Sequence, residues 1–206
     1  MSEETKYLSC AETAKLIRAQ LKKEFPGQKF SVRSHVYAGG ASINVDWTDR
    51  VGEKAVTKLV KKFEGKGFDG MIDMAYNKSI WLLPNGDAEY GESPGTFGSG
   101  GVRNAYNIEK PHPDAVLISP GADYIFANKE ISAELQEKTA RAVAKIEGIE
   151  FIDMMQIPGI GNVADNWYSI VNQLLYDVDT TNFKGIKKTD VESGRWYDFY
   201  EVEVEK

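Results

Sequence analysis

The sequence predicts an α+β protein, in which an N-terminal α-β-β-α unit with a mixed or antiparallel sheet is followed by further strands and two amphipathic helices. Three observations support this fold class. The first third of the 206-residue chain passes from helical to strand periodicity and back. A glycine pair separates its two strand segments, as in a tight hairpin. The later segments form no βαβ series, which argues against a parallel α/β sheet.

The first predicted helix begins at Ser9, which suits an N-cap because Glu12 follows three residues later as the partner of a capping box. Apolar residues then recur at helical spacing as far as Phe25. Pro26 and Gly27 end the helix. Its opposite side is basic, with Lys15, Arg18 and Lys22 among the exposed positions.

Two strands and a second helix follow. Residues 29–37 and 42–48 show strand alternation, and the glycines of segment 38–41 predict the turn between them. Alternation buries Ile43, Val45 and Trp47 and leaves Ser42, Asn44 and Asp46 on the other face. The second helix spans about 52–63 and exposes Lys54, Lys58 and Lys61.

The remainder of the chain is predicted as a loop and a C-terminal α+β part. Six glycines lie between residues 84 and 101, which indicates an insertion or a binding loop. We expect an α-β-β-α unit at 1–83, a Gly/Pro-rich loop at 84–114, and a part at 115–206 that packs on the first as one compact body. The later elements are a strand near 80–83, strands at 115–118, 124–127, 150–157 and 196–204, and helices at 132–146 and 164–176. In the first of these helices, Leu135, Thr139, Ala142 and Ile146 are expected to face the core.

Composition excludes several classes of protein. With 42% apolar and 27% charged residues, the chain can form a core and is not wholly disordered. No run approaches the roughly 20 apolar residues of a membrane helix, so no membrane partner is expected. The N-terminus lacks a signal-peptide pattern, so we expect a location in the cytoplasm of a bacterial host. One cysteine, Cys10, and two histidines exclude a disulfide framework and a multi-His or cysteine zinc site, and no cofactor is expected.

The charge is unevenly distributed. Residues 1–66 carry 13 Lys+Arg and 8 Asp+Glu, whereas residues 67–206 carry 12 and 23. Such asymmetry is typical of two faces or lobes with different partners. Attraction between neighbouring parts of the same protein explains it equally well.

Catalytic motifs are scarce. Residues 159–164 match G-x-G-x-x-A, but a strand-to-helix turn explains these glycines without a nucleotide. His112 stands between two prolines in a surface segment, and His35 is expected to be half-buried in the hairpin. Asp69 and Asp73 are candidates for a divalent cation in a small hydrolase or nuclease, although turns use the same residues. We expect no catalytic residues, and the sequence favours a protein that is not an enzyme.

The basic helix faces are candidate contacts for nucleic acid. Their cations recur every three or four residues, so each helix presents a stripe that can follow phosphates. The hairpin would add stacking and hydrogen bonds to a single strand. An ordinary solvated surface is the alternative, in keeping with a pI near 5.1. The predicted contacts are Lys15, Arg18, Lys22, Lys54, Lys58 and Lys61.

A family resemblance is carried by residues 10–49 and by the FEGKGFDGMIDM segment that ends at Met74. Its most specific pattern is F-S-V-R-S, then Y-x-G-G-x-S, then V-x-W-x-D. These segments resemble large polyvalent protein associated domain 29, and the later GADYIFANKEIS is similar to a downstream block in which arginine is usual at the position of Lys129. The resemblance is dense over 10–74 and sparse to about 132.

The resemblance implies the biological context of the protein and no particular reaction. Such domains belong to long proteins of phages and conjugative elements that travel with incoming DNA, and the family carries no assigned catalytic residues. Within the pattern, the glycines suit a turn, Trp47 suits the core and Asp49 suits a cap of the next helix. The candidate binding surface is therefore Arg33, Tyr37 and Ser42, with Asn44 and Asp46 from the same polar face.

We therefore expect an accessory protein of a phage or mobile genetic element that binds a host protein, one related to defence, without catalysis. A nucleic-acid-binding domain is the alternative, and a small metal-dependent hydrolase or nuclease comes third. An acidic α+β protein can occupy a nucleic-acid groove by charge mimicry, which requires a continuous acidic face. The sequence does not indicate an oligomeric state.

Overall fold

The computed structural model describes residues 4–94, 101–148, 167–191 and 196–205. Over these residues the chain has four α-helices and thirteen strands in mixed and antiparallel sheets, which confirms the α+β class. The helices are α1 (Cys10–Glu24), α2 (Glu53–Val60), α3 (Ala133–Glu147) and α4 (Trp167–Leu175). The strands are β1 (Lys6–Tyr7), β2 (Ser31–Tyr37), β3 (Gly40–Thr48), β4 (Lys66–Asp69), β5 (Met74–Asn77), β6 (Ile80–Leu82), β7 (Ala88–Glu89), β8 (Gly91–Glu92), β9 (Arg103–Asn104), β10 (Val116–Ser119), β11 (Tyr124–Glu130), β12 (Phe183–Lys188) and β13 (Tyr200–Val204).

The chain forms two compact units. The first comprises Met1–Asp46 and Val56–Asn128, and the second comprises Trp47–Ala55 and Lys129–Lys206. Residues 115–128, predicted to belong to the C-terminal part, contribute β10 and most of β11 to the first unit.

Helix α1 has the N-terminal cap that the sequence predicts. The hydroxyl of Ser9 accepts a hydrogen bond from the backbone N–H of Glu12 at 3.2 Å, and the Glu12 carboxylate accepts one from the backbone N–H of Ser9 at 2.8 Å. The helix buries Ala14, Ile17 and Leu21 and packs against β2. The capping box therefore sets the start of the first helix.

The predicted hairpin forms the larger part of a three-stranded sheet with the order β11-β3-β2. Strands β2 and β3 are antiparallel, with Arg33 opposite Asn44. On one side of the sheet Ile43, Val45 and Ile125 are fully buried. This side faces the core, so the other side of the sheet is left for the surface.

A four-stranded sheet of order β1-β10-β6-β7 also belongs to the first unit. Strand β10 is antiparallel to β6 and parallel to β1. One face of this sheet packs Trp81 and Leu117 against Ala105 and Ala115. The strand predicted near 80–83 is confirmed as β6, and the strand predicted at 115–118 is confirmed as β10.

The stretch 84–114, predicted as a Gly/Pro-rich loop, contains short ordered elements in its described residues. Strand β7 pairs with β6, and β8 pairs with β9. Residues Ala105–Asn107 form one turn of 3₁₀ helix. Strands β7, β8 and β9 have two residues each, so they are too short to produce a periodic pattern that sequence analysis could detect.

The second unit is built around α3, α4 and the β12–β13 hairpin. Helix α3 follows the N-cap Ser132, whose hydroxyl accepts from the backbone N–H of Leu135 at 3.3 Å. The buried face of α3 is centred on Ala140, Val143 and Ala144. Of the residues predicted to face the core, Thr139 is buried, and Leu135, Ala142 and Ile146 are partly buried and pack against the same core. The core is completed by Val171, Leu174 and Leu175 of α4, Ile186 of β12 and Tyr200 of β13.

Strand β13 begins at Tyr200, later than the predicted start at 196, because Trp196–Phe199 form a 3₁₀ helix. Its partner β12 was not predicted. The predicted strand at 150–157, the glycine motif at 159–164 and the first residues of the predicted last helix lie outside the described residues. None of the helices in the described ranges combines the length and the apolar character of a membrane span.

Candidate functional site

The side of the β11-β3-β2 sheet that lies opposite the core carries the predicted binding surface. In β2 and β3 the antiparallel register places Arg33 opposite Asn44 and Tyr37 opposite Gly40. Strand β11 extends this surface, because its side chains alternate with the buried Ile125. We call this side the outer face, defined by Arg33, His35, Tyr37, Ser42, Asn44, Asp46, Tyr124, Phe126 and Asn128.

A row of polar contacts crosses the outer face from edge to edge. Arg33 on β2 donates to one carboxylate oxygen of Asp46 on β3 at 2.8 Å. Asn128 on β11 donates to the other oxygen of the same carboxylate at 3.0 Å. Both oxygens of Asp46 are therefore occupied, and the charge of Arg33 is balanced although its side chain is mostly exposed.

Three aromatic side chains stand on the outer face. Tyr37, Tyr124 and Phe126 are 42%, 46% and 49% exposed. The ring of Tyr37 lies near that of His35, with 5.7 Å between centroids and 30° between planes. His35 is exposed, and the expectation of a half-buried histidine was wrong because every residue of the edge strand β2 after Val32 is exposed.

Gly40 allows the Tyr37 ring to lie against the neighbouring strand. A Cβ atom at position 40 would meet that ring at 2.9 Å and would crowd the Asp123 carboxylate still more. The carboxylate of Asp123 accepts from the backbone N–H of Ala41 at 3.2 Å. A side chain at position 40 would displace the Tyr37 ring or the Asp123 carboxylate, which explains why glycine suits this position of the Y-x-G-G pattern.

The predicted surface differs from the observed one in two respects. Ser42 shares the outer side by alternation, yet it is buried, so its hydroxyl offers little to a partner. Tyr124, Phe126 and Asn128 were missed. Their alternation was visible in the sequence, but nothing local indicated that β11 pairs with β3, 82 residues away.

The predicted nucleic-acid contacts differ in whether they already interact with other residues. In the first unit Arg18 donates to the backbone carbonyl of Val32, and Lys61 forms an ion pair with Glu64. In the second unit Lys54 forms an ion pair with Asp177, and this hydrogen bond raises the pKa of Lys54. Lys22 and Lys58 are exposed and have no ion pair with any residue that the structure describes, whereas Lys15 borders a cavity.

The metal candidates Asp69 and Asp73 lie at the turn between β4 and β5. A carboxylate oxygen of Asp69 accepts from the backbone N–H of Met71 at 2.9 Å, which is the hydrogen bond of an Asx turn. Asp73 is exposed and has a φ of 55°. Within the described ranges, no three His, Cys, Asp or Glu side chains converge as metal ligands would.

Asp49 has a role different from the predicted helix cap. Its carboxylate accepts from the backbone N–H of Ser132 at 2.8 Å, so it holds the residue that caps α3. Asp49 and Arg50 both adopt positive φ angles, 54° and 51°. The predicted cap was wrong because this turn directs the carboxylate toward the α3 segment of the second unit.

Lys129 is a buried cation in the second unit. Its ammonium donates to the backbone carbonyls of Leu175 and Val178, each at 2.8 Å, at the C-terminal end of α4. A cation there suits the negative end of the helix dipole. Burial lowers the pKa of Lys129 to about 8, although Asp49 and other nearby carboxylates oppose the shift.

The comparisons with known proteins identify a family. The sequence model of large polyvalent protein associated domain 29 matches residues 8–132, which is more than half of the chain and contains the whole outer face. Domains of this description are associated with the polyvalent proteins of phages. No curated protein and no solved structure matches the chain. The chain therefore belongs to the large polyvalent protein associated domain 29 family.

Proposed function

We propose that this protein is an accessory factor of a phage or mobile genetic element that binds a host protein through the outer face and catalyses no reaction. The observation that carries the proposal is the set of half-exposed aromatic side chains, Tyr37, Tyr124 and Phe126, gathered around a neutralised polar row. The family setting supplies the context of a mobile element in a host cell.

The chemistry of the outer face suits a protein partner. Exposed aromatic residues next to an arginine are typical of the side chains that dominate the free energy of protein association. Isolated exposed apolar residues are common, but several on one sheet face indicate an interaction surface. The sheet backbone holds Tyr37 and Phe126 in place before binding, which reduces the entropy lost when a partner docks.

The charge balance favours a protein over a polyphosphate. A nucleic-acid groove needs cations that are free to replace counterions along the backbone. On the outer face the guanidinium of Arg33 is already bound to Asp46. In the second unit, Glu201 of β13 and Glu205, which follows that strand, pair with Lys187 and Lys184 of β12, so this hairpin offers no basis for charge mimicry.

A photocrosslinking amino acid at position 126 tests the proposal in host cells. The matched control carries the same crosslinker at position 68, because Phe68 is also a phenylalanine of the first unit and is 61% exposed. We expect one discrete host protein crosslinked from position 126 and not from position 68. The host protein is expected to belong to a defence system.

Two outcomes would overturn the proposal. Identical crosslinking patterns from both positions would show that contact is unspecific, and crosslinking to nucleic acid alone would show a different partner class. Phe126→Ser should also abolish capture of that host protein, whereas Phe68→Ser should leave it unchanged. Circular dichroism of both variants checks that each is folded.

Single-stranded nucleic acid is the second candidate, and one observation favours it. The paired rings of His35 and Tyr37 lie on the same face as Phe126, and aromatic rings on an open sheet are platforms for base stacking. Binding of single-stranded oligonucleotides at low salt, lost in Tyr37→Ala and weakened steeply by salt, would support this function. The lack of a shift at low salt would exclude it.

A further inference from the structure

A cavity of about 370 Å³ lies in the first unit, between α1 and the four-stranded sheet. Its floor is the side of that sheet opposite the Trp81 cluster. The antiparallel register pairs Val116 with Leu82, and alternation places Ile118 on the same side. A cavity of this size is within the range that holds small ligands in proteins.

The floor of the cavity is apolar. Leu82, Val116 and Ile118 come from the sheet, and Leu16 comes from α1. Val116, the first residue of β10, is 44% exposed; it lies opposite Leu82 of β6 and beyond the two residues at which β1 pairs with β10. An uncovered valine at the base of a cleft provides a surface from which an aliphatic chain would displace water.

The rim of the cavity is basic. Lys6 on β1 and Lys15 on α1 both line it, and Glu12 is the carboxylate beside them. Glu12 is already engaged in the cap of α1, because one of its oxygens accepts from the backbone N–H and the hydroxyl of Ser9 at 2.8 and 2.7 Å. These hydrogen bonds lower the pKa of Glu12. Glu12 also interacts electrostatically with Lys6 and Lys15 and balances one of their two charges, so the rim keeps one excess positive charge.

We propose that this cavity binds an aliphatic carboxylate, with its chain on the apolar floor and its head group between Lys6 and Lys15. The apolar floor accounts for the aliphatic chain, and the excess positive charge of the rim accounts for the anionic head. No residue of the outer face lines this cavity. The inference therefore goes beyond the proposed function, and the two can fail independently.

The test is a titration of the full-length protein with decanoate below its micelle concentration, followed by methyl NMR. We expect saturable shifts at Leu82 and Val116. Decylamine has the same chain with a cationic head, and we expect it to bind about tenfold more weakly, because it places like charges together.

Charge-reversal variants locate the head group. Lys6→Glu/Lys15→Glu should weaken decanoate binding about tenfold. The matched control Lys22→Glu/Lys58→Glu makes the same net change at exposed lysines of the first unit outside the cavity, and it should bind as the unchanged protein does. Lys6→Gln/Lys15→Gln removes the two charges without reversing them and should give an intermediate affinity. A graded loss of this kind distinguishes an effect of charge on binding from an effect of misfolding.

Three results would overturn the inference. The first is the absence of saturable shifts in the floor methyls up to the highest decanoate concentration. The second is equal binding of decanoate and decylamine, which would indicate unspecific apolar contact. The third is an equal loss of affinity in the two charge-reversal pairs, because the effect would then follow net charge and not the rim.

Discussion

Arg33 on β2 donates to the carboxylate of Asp46 on β3 across 2.8 Å, and this contact determines the character of the outer face. Without it the face would present an unpaired cation on its β2 edge. With it, the polar row is closed from β2 to β11 through Asn128. The face therefore combines exposed rings with a fixed and balanced polar network, which favours a protein partner.

Removal of the shared acceptor should cost more than removal of either donor. In Asp46→Ala both Arg33 and Asn128 lose their acceptor, and we expect the free energy of unfolding to fall by about 1–2 kcal/mol. Arg33→Ala should cost less than about 1 kcal/mol, because the ion pair is largely solvent-exposed. Denaturant unfolding of both single variants and the double variant measures the coupling. A loss in Asp46→Ala no greater than in Arg33→Ala would contradict the shared role of the carboxylate.

The capping box should stabilise α1 measurably. Ser9→Ala removes the side-chain acceptor of the Glu12 N–H, and we expect a loss of about 1 kcal/mol in the free energy of unfolding. Ser9→Thr keeps a hydroxyl and should lose only a fraction of that. Ser34→Ala on the exposed strand β2 is the control for a serine change in the first unit. Equal thermal midpoints for Ser9→Ala and Ser34→Ala would contradict the prediction.

The features that sequence could predict are those whose cause is local. The cap of α1 depends on two residues three positions apart, and the β2–β3 hairpin depends on alternation and on its glycine turn. For the same reason, alternation correctly predicted that Asn44 and Asp46 lie on the side of β3 opposite its buried residues. Local patterns are set by backbone geometry, so one strand or helix turn is enough to reveal them.

The features that sequence missed depend on distant partners. Phe126 belongs to the outer face only because β11 lies beside β3, and the contact between Asn128 and Asp46 spans 82 residues. Asp49 meets Ser132 across 83 residues, so a local rule assigned it to the wrong helix. Pairings over such separations are decided by packing of the whole unit and not by the pattern of either segment.

Gly52 should be intolerant of any side chain. A Cβ atom there would lie 2.2 Å from the backbone carbonyl oxygen of Asp177, so the backbone would have to move. We expect Gly52→Ala to lower the free energy of unfolding by about 1–3 kcal/mol, as overpacked sites do. Gly185→Ala is the matched control in the second unit, because nothing lies within 4 Å of its added atom. Thermal unfolding compares the two, and equal midpoints would show that the segment near Gly52 adapts freely.

The buried ammonium of Lys129 should make stability depend on pH in the alkaline range. Its pKa is about 8 in the folded protein and 10.5 in an ordinary environment. Between these values the unfolded chain holds a proton that the folded chain has released, so stability rises with pH in this window. Below about pH 8 both states are charged, and this group adds no pH dependence.

Lys129→Arg isolates that contribution, because arginine stays charged throughout the range. From pH 7 to pH 10 we expect the unchanged protein to gain about 1–2 kcal/mol relative to the variant, a figure reduced for residual solvent screening. Denaturant unfolding at both pH values measures the difference, and the other lysines and the tyrosines titrate in both proteins, so their effects cancel. The same pH dependence in both proteins would mean that Lys129 keeps an ordinary pKa despite its burial against the carbonyls of Leu175 and Val178.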